Sequence, residues 1–345
     1  MRARSLRLLF TLLSSIPLAA CGPEISVEPT STSPTPPPPT SPTPPPPTPL
    51  PDPGTRLSQA APMCIKHPSG TVTCHLPLSN PELATELSGV FDAVEVVQAL
   101  EQGCLRHATG RVSCWGWSHH GQLGLAVDIE EHSDVPVELP EVEVVKLASS
   151  HHSVCGIRPS GQAICWGGAY DGPIGAPEPG QTQAPLDVLG VPDAVDIAAS
   201  INRVCAVRAS GAVSCWKDHE APVAIEGISG AVKVSVSTAQ VCALRGNGTV
   251  ICWREDIGTV VPALEDVVQL SGALGVATTC ARTAAGGVAC WGVGASQYDA
   301  PLVLDIADAV DVSAASSGAC AVRSDGTIAC WDEAGTPVPF PLQSF

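Results

Sequence analysis

The sequence is poor in basic residues, in aromatic residues and in long apolar segments. Seventeen lysines and arginines stand against 34 aspartates and glutamates, so the formal net charge is −17 at pH 7. This balance argues against a nucleic-acid binder, because such binding depends on basic side chains that neutralise phosphates. Only 4% of the 345 residues are aromatic, but 44% are hydrophobic, which is enough to bury a sizeable core. Disorder throughout the chain is therefore excluded.

The most apolar segment lies at the N terminus and has the features of an export signal. Three arginines (Arg2, Arg4 and Arg7) cluster at its start, and an apolar run with small residues at its end leads to Cys21. This is the order of regions in a secretory signal peptide. The run is too short, and too interrupted by serine and proline, to serve as a permanent membrane-spanning helix. We predict that residues 1–20 are a signal peptide.

The segment Leu18-Ala19-Ala20-Cys21 resembles the lipobox of bacterial lipoproteins, in which the cysteine is acylated and becomes the first mature residue. The resemblance implies that Cys21 is lipidated and that the protein is exported and anchored in the bacterial cell envelope. Gly22, a non-acidic residue, is compatible with the outer membrane. An odd fifteenth cysteine is thereby explained. The alternative is a plain secretory signal followed by an unrelated cysteine.

Cleavage before Cys21 would remove three bases and no acid, which changes the formal net charge from −17 to −20. A mature chain of that charge should repel acidic lipid surfaces and DNA alike. We therefore expect contact with the membrane through the lipid anchor alone, and no nucleic-acid partner.

Residues 21–53 form a segment of a different composition. Residues 22–53 hold 15 of the 34 prolines, with serine and threonine between them. Such a segment favours polyproline II, which rises ~3.1 Å per residue, so it could span roughly 100 Å when fully extended. We predict a disordered, proline-rich stalk behind the lipidated cysteine. A ligand for proline-binding modules is the alternative, which the position directly behind a lipid anchor disfavours.

The remaining 14 cysteines form seven pairs, in each of which the second cysteine stands ten positions after the first. The pairs are Cys64 and Cys74, Cys104 and Cys114, Cys155 and Cys165, Cys205 and Cys215, Cys242 and Cys252, Cys280 and Cys290, and Cys320 and Cys330. A glycine follows the first cysteine by six residues in every copy. These regular spacings indicate an internal repeat.

The segment between paired cysteines is typical of a β-hairpin with a three-residue loop. In Ser324-Asp325-Gly326, the third loop residue needs a left-handed backbone, which glycine adopts at least cost. The resulting register places Cys320 directly opposite Cys330, at a separation that a disulfide can bridge. A metal site is the competing interpretation. The spacing lacks the short Cys-x2-Cys knuckle, and an exported chain meets an oxidising space.

Each hairpin is flanked by further strand-like runs, such as AVDIAAS before Cys205 and APVAI after Cys215. Each repeat is therefore expected to form four short strands, A to D. A mean period of about 43 residues is in the range of propeller blades. A tryptophan follows the second cysteine in six copies, and its side chain should point away from the disulfide and pack on the next blade. In the first copy His75 replaces it. We predict an all-β, seven-bladed β-propeller over residues 54–345.

The repeats resemble those of the regulator of chromosome condensation family, which are seven-bladed β-propellers. The resemblance rests on Cys-Ala-Val-Arg hairpins, on Gly-x-Val-x-Cys-Trp and on Gly121-Gln122-Leu123-Gly124, and it covers residues from about 55 to 345. Nuclear members act in nucleotide exchange and chromatin binding, which an exported lipoprotein would not perform. Exported bacterial propellers with similar repeats resemble protein-binding modules, including β-lactamase inhibitors. The resemblance thus implies a protein partner of unknown identity.

Bases and acids recur at fixed positions of the repeat. Bases follow the first cysteine of every pair by two or three residues, and acids lie near the start of strand A, at Asp92, Glu143, Asp193, Asp196, Asp308 and Asp311. Because strands A and B are antiparallel, the B-to-C turn and the start of strand A share one face of the propeller. We expect a ring of local ion pairs on that face.

The chain shows no nucleophile elbow, phosphate-binding loop or zinc-protease helix, so we predict no catalytic residues, no cofactor and no enzymatic activity. Differences between blades are the better guide to function. Blades 2 and 3 each carry roughly ten extra residues after their tryptophan, and long loops are common binding sites. These insertions contain Trp117, His119, His120 and Tyr170.

We predict that Trp117, Tyr170, His119 and His120 belong to a partner-binding surface, since tryptophan and tyrosine are enriched at binding hot spots. Alternatively Gln122 and Leu123 merely anchor the loop, and His152 holds a structural position before Cys155. A metal or enzymatic site at His119, His120, His151 and His152 is a further alternative, and a structural envelope component is a third. The sequence thus favours a monomeric, non-enzymatic binding scaffold displayed on the cell envelope as a lipoprotein.

Overall fold

Each of the seven repeats forms one antiparallel sheet of four strands. The computed structural model describes residues 53–58, 63–75, 84–99, 102–125, 132–168, 184–201, 203–217, 220–254, 257–260, 264–292, 301–315 and 317–340. These residues lie in one compact unit of the chain, Pro47–Phe345. The predicted signal peptide, Cys21 and the proline-rich stalk to residue 52 lie outside the described residues. No helix among the described residues has the length and apolar character needed to cross a membrane.

Blades 1 to 4 contain the first sixteen strands in chain order, each blade starting with its strand A. Blade 1 has β1 (Arg56–Leu57), β2 (Cys64–Lys66), β3 (Val72–His75) and β4 (Ala84–Glu86); blade 2 has β5 (Ala93–Gln98), β6 (Gln102–His107), β7 (Arg111–Trp117) and β8 (His132–Glu143); blade 3 has β9 (Lys146–Ser149), β10 (Ser153–Ile157), β11 (Ala163–Gly167) and β12 (Leu186–Asp187); blade 4 has β13 (Ala194–Ser200), β14 (Arg203–Arg208), β15 (Val213–Trp216) and β16 (Val223–Ala224).

Blades 5 to 7 follow the same order. Blade 5 has β17 (Ala231–Val236), β18 (Val241–Arg245), β19 (Val250–Arg254) and β20 (Ile257–Val260); blade 6 has β21 (Val267–Gly272), β22 (Thr279–Thr283), β23 (Val288–Trp291) and β24 (Leu302–Val303); blade 7 has β25 (Ala309–Ala315), β26 (Gly318–Arg323), β27 (Ile328–Asp332) and β28 (Pro337–Val338). In every sheet, consecutive strands are neighbours. The predicted all-β fold with seven four-stranded blades is confirmed.

The hairpin at the centre of each blade has the predicted register. In blade 7, Cys320 lies opposite Cys330 and Val322 lies opposite Ile328. The loop glycine Gly326 has φ 87°, and its six counterparts are also left-handed. All seven predicted cystines are present, each joining cysteines ten residues apart. Seven disulfides indicate an oxidising compartment, because cytosolic thiols are kept reduced.

The repeated tryptophans pack between blades, but against the preceding blade and not, as predicted, against the next one. Trp216 of blade 4 is 2% exposed and packs with Cys155 and Cys165 of blade 3. The disulfide of its own blade faces the core shared with blade 5. Tryptophan and cysteine are adjacent on strand C and so point to opposite faces of the sheet. Six of the seven interfaces therefore pair the disulfide of one blade with the tryptophan of the following blade.

Blade 1 closes the ring on blade 7 without sharing a sheet with it. Leu57 and Ile65 of blade 1 pack with Cys320 and Cys330 of blade 7 in one buried cluster. At the position where the other blades have tryptophan, the ring of His75 meets the edge of Phe340, with centroids 4.8 Å apart. Phe340 follows the last strand of the chain and packs on the same cluster. The C-terminal segment thus supplies the aromatic surface that repeat 1 lacks.

Candidate functional site

Among the residues that the structure describes, strands C and D of blade 2 are longer than those of the other blades, and they carry an aromatic cluster. Trp117 lies opposite His132 at the far ends of β7 and β8, so it belongs to a strand and not, as predicted, to a loop. Its side chain is 40% exposed. The ring stacks on His119, with centroids 4.9 Å apart, and meets the edge of His132 at 4.8 Å. We call Trp117, His119 and His132 the aromatic cluster.

The segment after the aromatic cluster is anchored in the interface with blade 3. Leu123 is 1% exposed and packs with Trp166. The indole Nε1 of Trp166 donates a 3.0 Å hydrogen bond to the carbonyl oxygen of Gln122. The Gln122 side chain in turn accepts a hydrogen bond from the backbone N–H of His120 at 2.8 Å. Gln122 and Leu123 are therefore structural, as the alternative interpretation of these residues expected.

A second group of rings joins blade 2 to blade 3. His120 lies 4.1 Å from His152, and His152 lies 3.9 Å from His151, measured between ring centroids. His120 is therefore brought to His151 and His152, whereas His119 belongs to the aromatic cluster. Within the described parts of the chain, no three His, Cys, Asp or Glu side chains are arranged to hold a metal ion.

Two predicted site residues, Tyr170 and Cys21, lie outside the described residues. His132 is a member of the aromatic cluster that sequence reasoning missed. Its place follows from the pairing of the C and D strands, which continues outward to Trp117 and His132 because β7 and β8 are both extended. The length of that pairing is not visible in the repeat spacing.

A second candidate site lies on the axis of the propeller, where the A strands of all seven blades meet. The A-strand residue that pairs with the position two after the first cysteine faces this axis in each blade. The seven residues, in blade order, are Arg56, Glu95, Lys146, Asp196, Lys233, Gln269 and Asp311. All of them line one central cavity. We call these seven residues the axial ring.

Charges alternate around the axial ring. Positive and negative residues follow one another from blade 7 through blade 1 to blade 5, and blade 6 contributes the neutral Gln269. Seven is an odd number, so strict alternation would place two like charges side by side. Gln269 avoids this: its Nε2 donates a 2.6 Å hydrogen bond to Asp311 and a 3.2 Å bond to the carbonyl of Val312. Its Oε1 accepts a 3.1 Å bond from Arg282.

Each carboxylate of the axial ring binds the backbone of the following blade. Glu95 accepts from the N–H of Leu147 at 3.2 Å, and Asp196 accepts from Val234 at 2.8 Å. Asp311 accepts from Leu57 at 2.8 Å, which joins blade 7 to blade 1. Glu95 also pairs with Lys146 of the next blade, at 3.1 Å. The axial ring is therefore a set of links between neighbouring blades as well as the lining of the cavity.

The predicted ring of ion pairs on the B-to-C turn face is correct in part. Arg323 and Asp308 form an ion pair of 2.9 Å there, and Arg208 pairs with Asp193. Asp196 and Asp311, which were expected on the same face, instead line the axial cavity. The reason is a β-bulge in strand A just before each of them, which turns the following side chain towards the axis.

Burial raises the pKa of the Asp196 carboxyl, against the attraction of Lys146. The folded chain then holds this proton more tightly than the unfolded chain. Ionised Asp196 therefore costs stability, and that cost grows as pH rises from the unfolded pKa of about 4 through the raised folded pKa. The Glu95 carboxylate raises the pKa of Lys146, which stays charged throughout this range.

We expect Asp196→Asn to be at least as stable as the wild type at pH 7, because asparagine still accepts the Val234 N–H and carries no charge. The advantage should vanish near pH 3, where the wild-type carboxyl is protonated in both states. Asp196→Ala leaves that N–H without its acceptor and should lose about 1 to 3 kcal/mol. Urea unfolding at several pH values measures both effects. If Asp196→Asn is less stable than the wild type at pH 7 but not at pH 3, the negative charge of Asp196 stabilises the fold.

The fold and this geometry define a seven-bladed β-propeller of repeated disulfide hairpins. Human WBSCR16 has a similar structure, with a TM-score of 0.63 at 14% identity over 75% of this chain and 84% of that one. Prp20p from Saccharomyces cerevisiae matches with a TM-score of 0.60 at 14% identity, over 71% and 76% of the two chains. The CRINKLY WD40 ectodomain of the Arabidopsis thaliana receptor kinase ACR4 matches with a TM-score of 0.55 at 17% identity, over 84% and 98%.

At identities this low, the structural matches show the fold alone, which is similar to that of Prp20, yeast RCC1. No protein-family model and no curated protein sequence matches the chain.

Proposed function

We propose that this protein is a non-enzymatic, protein-binding scaffold displayed on the bacterial cell envelope as a lipoprotein. The observation that carries the proposal is the aromatic cluster. Its tryptophan is 40% exposed, whereas the tryptophans of the repeat pattern pack inside the blade interfaces. Trp117 and His132 stand on strands that, among the described residues, blade 2 alone extends in this way, so the packing of a blade does not require them. An exposed tryptophan on a rigid strand is a frequent anchor of protein interfaces.

The compared structures include propellers with protein partners. Yeast Prp20 has been crystallised with Kap60, and binding of Prp20p to Gsp1p and to histones has been described. These are partners of Prp20, and the sequence identity between the two chains is too low to infer the same partners for this protein. What they support is the use of a propeller of this type as a rigid platform for another protein.

The anchoring part of the proposal rests on Leu18-Ala19-Ala20-Cys21 and on the proline-rich segment behind it. Lipidation at Cys21 would tether the propeller to the membrane, and the stalk would let it reach a partner at a distance of up to roughly 100 Å. A monomer suffices for this arrangement. The seven disulfides suit the same compartment, since structural disulfides persist outside the cytosol.

We predict that replacing both Trp117 and Tyr170 with alanine weakens partner binding by about 2 kcal/mol or more, roughly a 30-fold loss of affinity. The free energy of unfolding should change little, because Trp117 is largely outside the core. The measurement is a binding isotherm with the captured partner, together with a denaturation curve. Phe91→Ala is the matched control, since Phe91 is 72% exposed but lies at the B-to-C turn face.

An affinity that is unchanged in the double variant would place the partner elsewhere on the propeller. A double variant that unfolds, while its folded fraction binds normally, would make these aromatic side chains part of the core.

The contact of His120, His151 and His152 favours a metal-binding or enzymatic site as the second candidate. Imidazole is the commonest protein ligand for zinc. In the described structure these rings are not arranged around a metal, so a metal site here would require them to reorient. Elemental analysis of the purified mature domain separates the two functions. Stoichiometric zinc or nickel that is lost on His152→Ala would favour the second candidate over the binding scaffold.

A further inference from the structure

The axial cavity is bounded at one end by apolar side chains. It has a volume of about 440 Å³ and is lined by the A strands of all seven blades. At the ends of the A strands, Ala99 of blade 2, Ile201 of blade 4 and Leu274 of blade 6 pack together. Because they come from blades on different sides of the ring, these apolar side chains close the channel at that end. We therefore expect a solute to enter from the side of the B-to-C turns, where the A strands begin.

The lining of this cavity is positive, although the chain as a whole is strongly acidic. Five bases and three carboxylates line it, which leaves an excess of two positive charges. The bases are Arg56, Arg106, Lys146, Lys233 and Arg282, and the carboxylates are Glu95, Asp196 and Asp311. The whole chain has a formal charge of −17. A positive interior on such a chain concentrates anions at the axis.

The three carboxylates are already engaged by the protein. Glu95 is shared between Arg106 at 3.0 Å and Lys146 at 3.1 Å. Asp196 accepts the Val234 N–H, and Asp311 accepts the Leu57 N–H and the amide of Gln269. The carboxylates therefore have little capacity left to neutralise a further cation in the cavity.

Lys233 lines the cavity but takes no part in these contacts with the carboxylates. In the part of the chain that the structure describes, its ammonium group makes no hydrogen bond and no ion pair. Burial lowers the pKa of Lys233, and the neighbouring cations Lys146 and Arg282 lower it further, against the attraction of Asp196. An ammonium group in such surroundings gains from an anionic ligand, since a charge-assisted hydrogen bond is about twice as strong as a neutral one.

We propose that the axial cavity is a binding site for a small divalent oxyanion, held by Lys233 with Lys146 and Arg282 as the neighbouring positive charges. Two negative charges match the excess in the lining. The volume is sufficient for an anion of the size of phosphate or of a short dicarboxylate with its water. The site is distinct from the aromatic cluster, and its occupation does not depend on a protein partner.

The test uses the purified, oxidised mature domain and two probes, inorganic phosphate and succinate, each titrated by calorimetry at constant ionic strength. We expect saturable binding of at least one probe, and Lys233→Gln should weaken it about tenfold or more, as expected for the loss of one charge-assisted hydrogen bond. Lys217→Gln removes the same charge from a lysine that does not line the cavity, and it should bind as the wild type does.

Comparison of the two probes identifies the chemical class of anion that the site binds. Binding of phosphate alone indicates a phosphate-type ligand, binding of succinate alone a dicarboxylate, and binding of both a site that selects for charge. A thermal shift on adding the probe, present in the wild type and absent in Lys233→Gln, provides a second readout in the folded protein. Absence of saturable binding for both probes, or binding that Lys233→Gln leaves unchanged, would overturn the proposal.

Discussion

Trp216→Ala is expected to lower the free energy of unfolding by about 3 to 5 kcal/mol. The side chain is 2% exposed and fills the interface between blades 3 and 4, against the disulfide of blade 3. Truncation removes the buried indole and leaves a cavity that two stapled sheets cannot collapse to fill. Because each blade contacts mainly its neighbours, this loss at one interface should lower the melting temperature of the whole ring.

Denaturation curves of two further variants provide the controls for Trp216→Ala. Trp216→Phe retains most of the buried ring and should lose less stability than alanine does. Trp117→Ala removes the same side chain from an exposed position and should change stability by only a few tenths of a kcal/mol. Equal losses for Trp216→Ala and Trp117→Ala would contradict the assignment of one tryptophan to the core and the other to the surface.

Cys21→Ser is expected to abolish acylation and to release or mislocalise the protein. Serine lacks the thiol to which the lipid is attached, and the rest of the mature chain offers no apolar segment comparable to the N-terminal run. The strongly acidic mature chain has no electrostatic attraction to an acidic lipid surface that could replace the lipid.

Intact-mass measurement and cell fractionation check the Cys21→Ser prediction. The wild type should carry the mass of attached acyl chains and fractionate with membranes, and the variant should lose both properties. A variant that still carries lipid, or a wild type without any, would show that the segment is a plain secretory signal.

The fold could be predicted from the sequence alone, because the same four-stranded unit with the same cysteine spacing recurs seven times. The cysteine spacing determines the hairpin register, and that register predicts the disulfides and the strand order. The closure of the ring could not be predicted in this way. It depends on His75 and Phe340, which belong to the first and last repeats and break the pattern, and no spacing relates two residues so far apart in the chain.

The axial ring is visible in the sequence as a regular spacing and an alternation of charge, but this pattern alone does not show that the residues face the axis. In blades 2, 3, 4, 5 and 7 the axial residue stands nine residues before the first cysteine, and its charge alternates from blade to blade. In blade 6 two inserted residues hide the correspondence. The bulge before the axial residue also turns its side chain from the expected face of the propeller to the axis, as at Asp196. Backbone irregularities of this kind are not visible in a repeat pattern.

The aromatic cluster was predicted in part. Trp117 and His119 stand out because they belong to an insertion and not to the blade pattern. His132 could be added only when the pairing of β7 with β8 was known, since fourteen residues separate Trp117 from the start of β8 at its partner position. Sequence comparison between blades thus finds where the chain departs from the scaffold, whereas strand pairing decides which residues meet there.

The most direct test of the binding function is a quantitative one. The mature domain, immobilised through a tag placed at Cys21, is exposed to envelope and secreted fractions of the producing organism. Any retained protein is then purified and titrated against the free domain. We predict one partner that binds saturably and that the Trp117→Ala, Tyr170→Ala variant retains much more weakly. If no protein binds saturably, or if both forms retain the same proteins equally, the scaffold function assigned to the aromatic cluster is wrong.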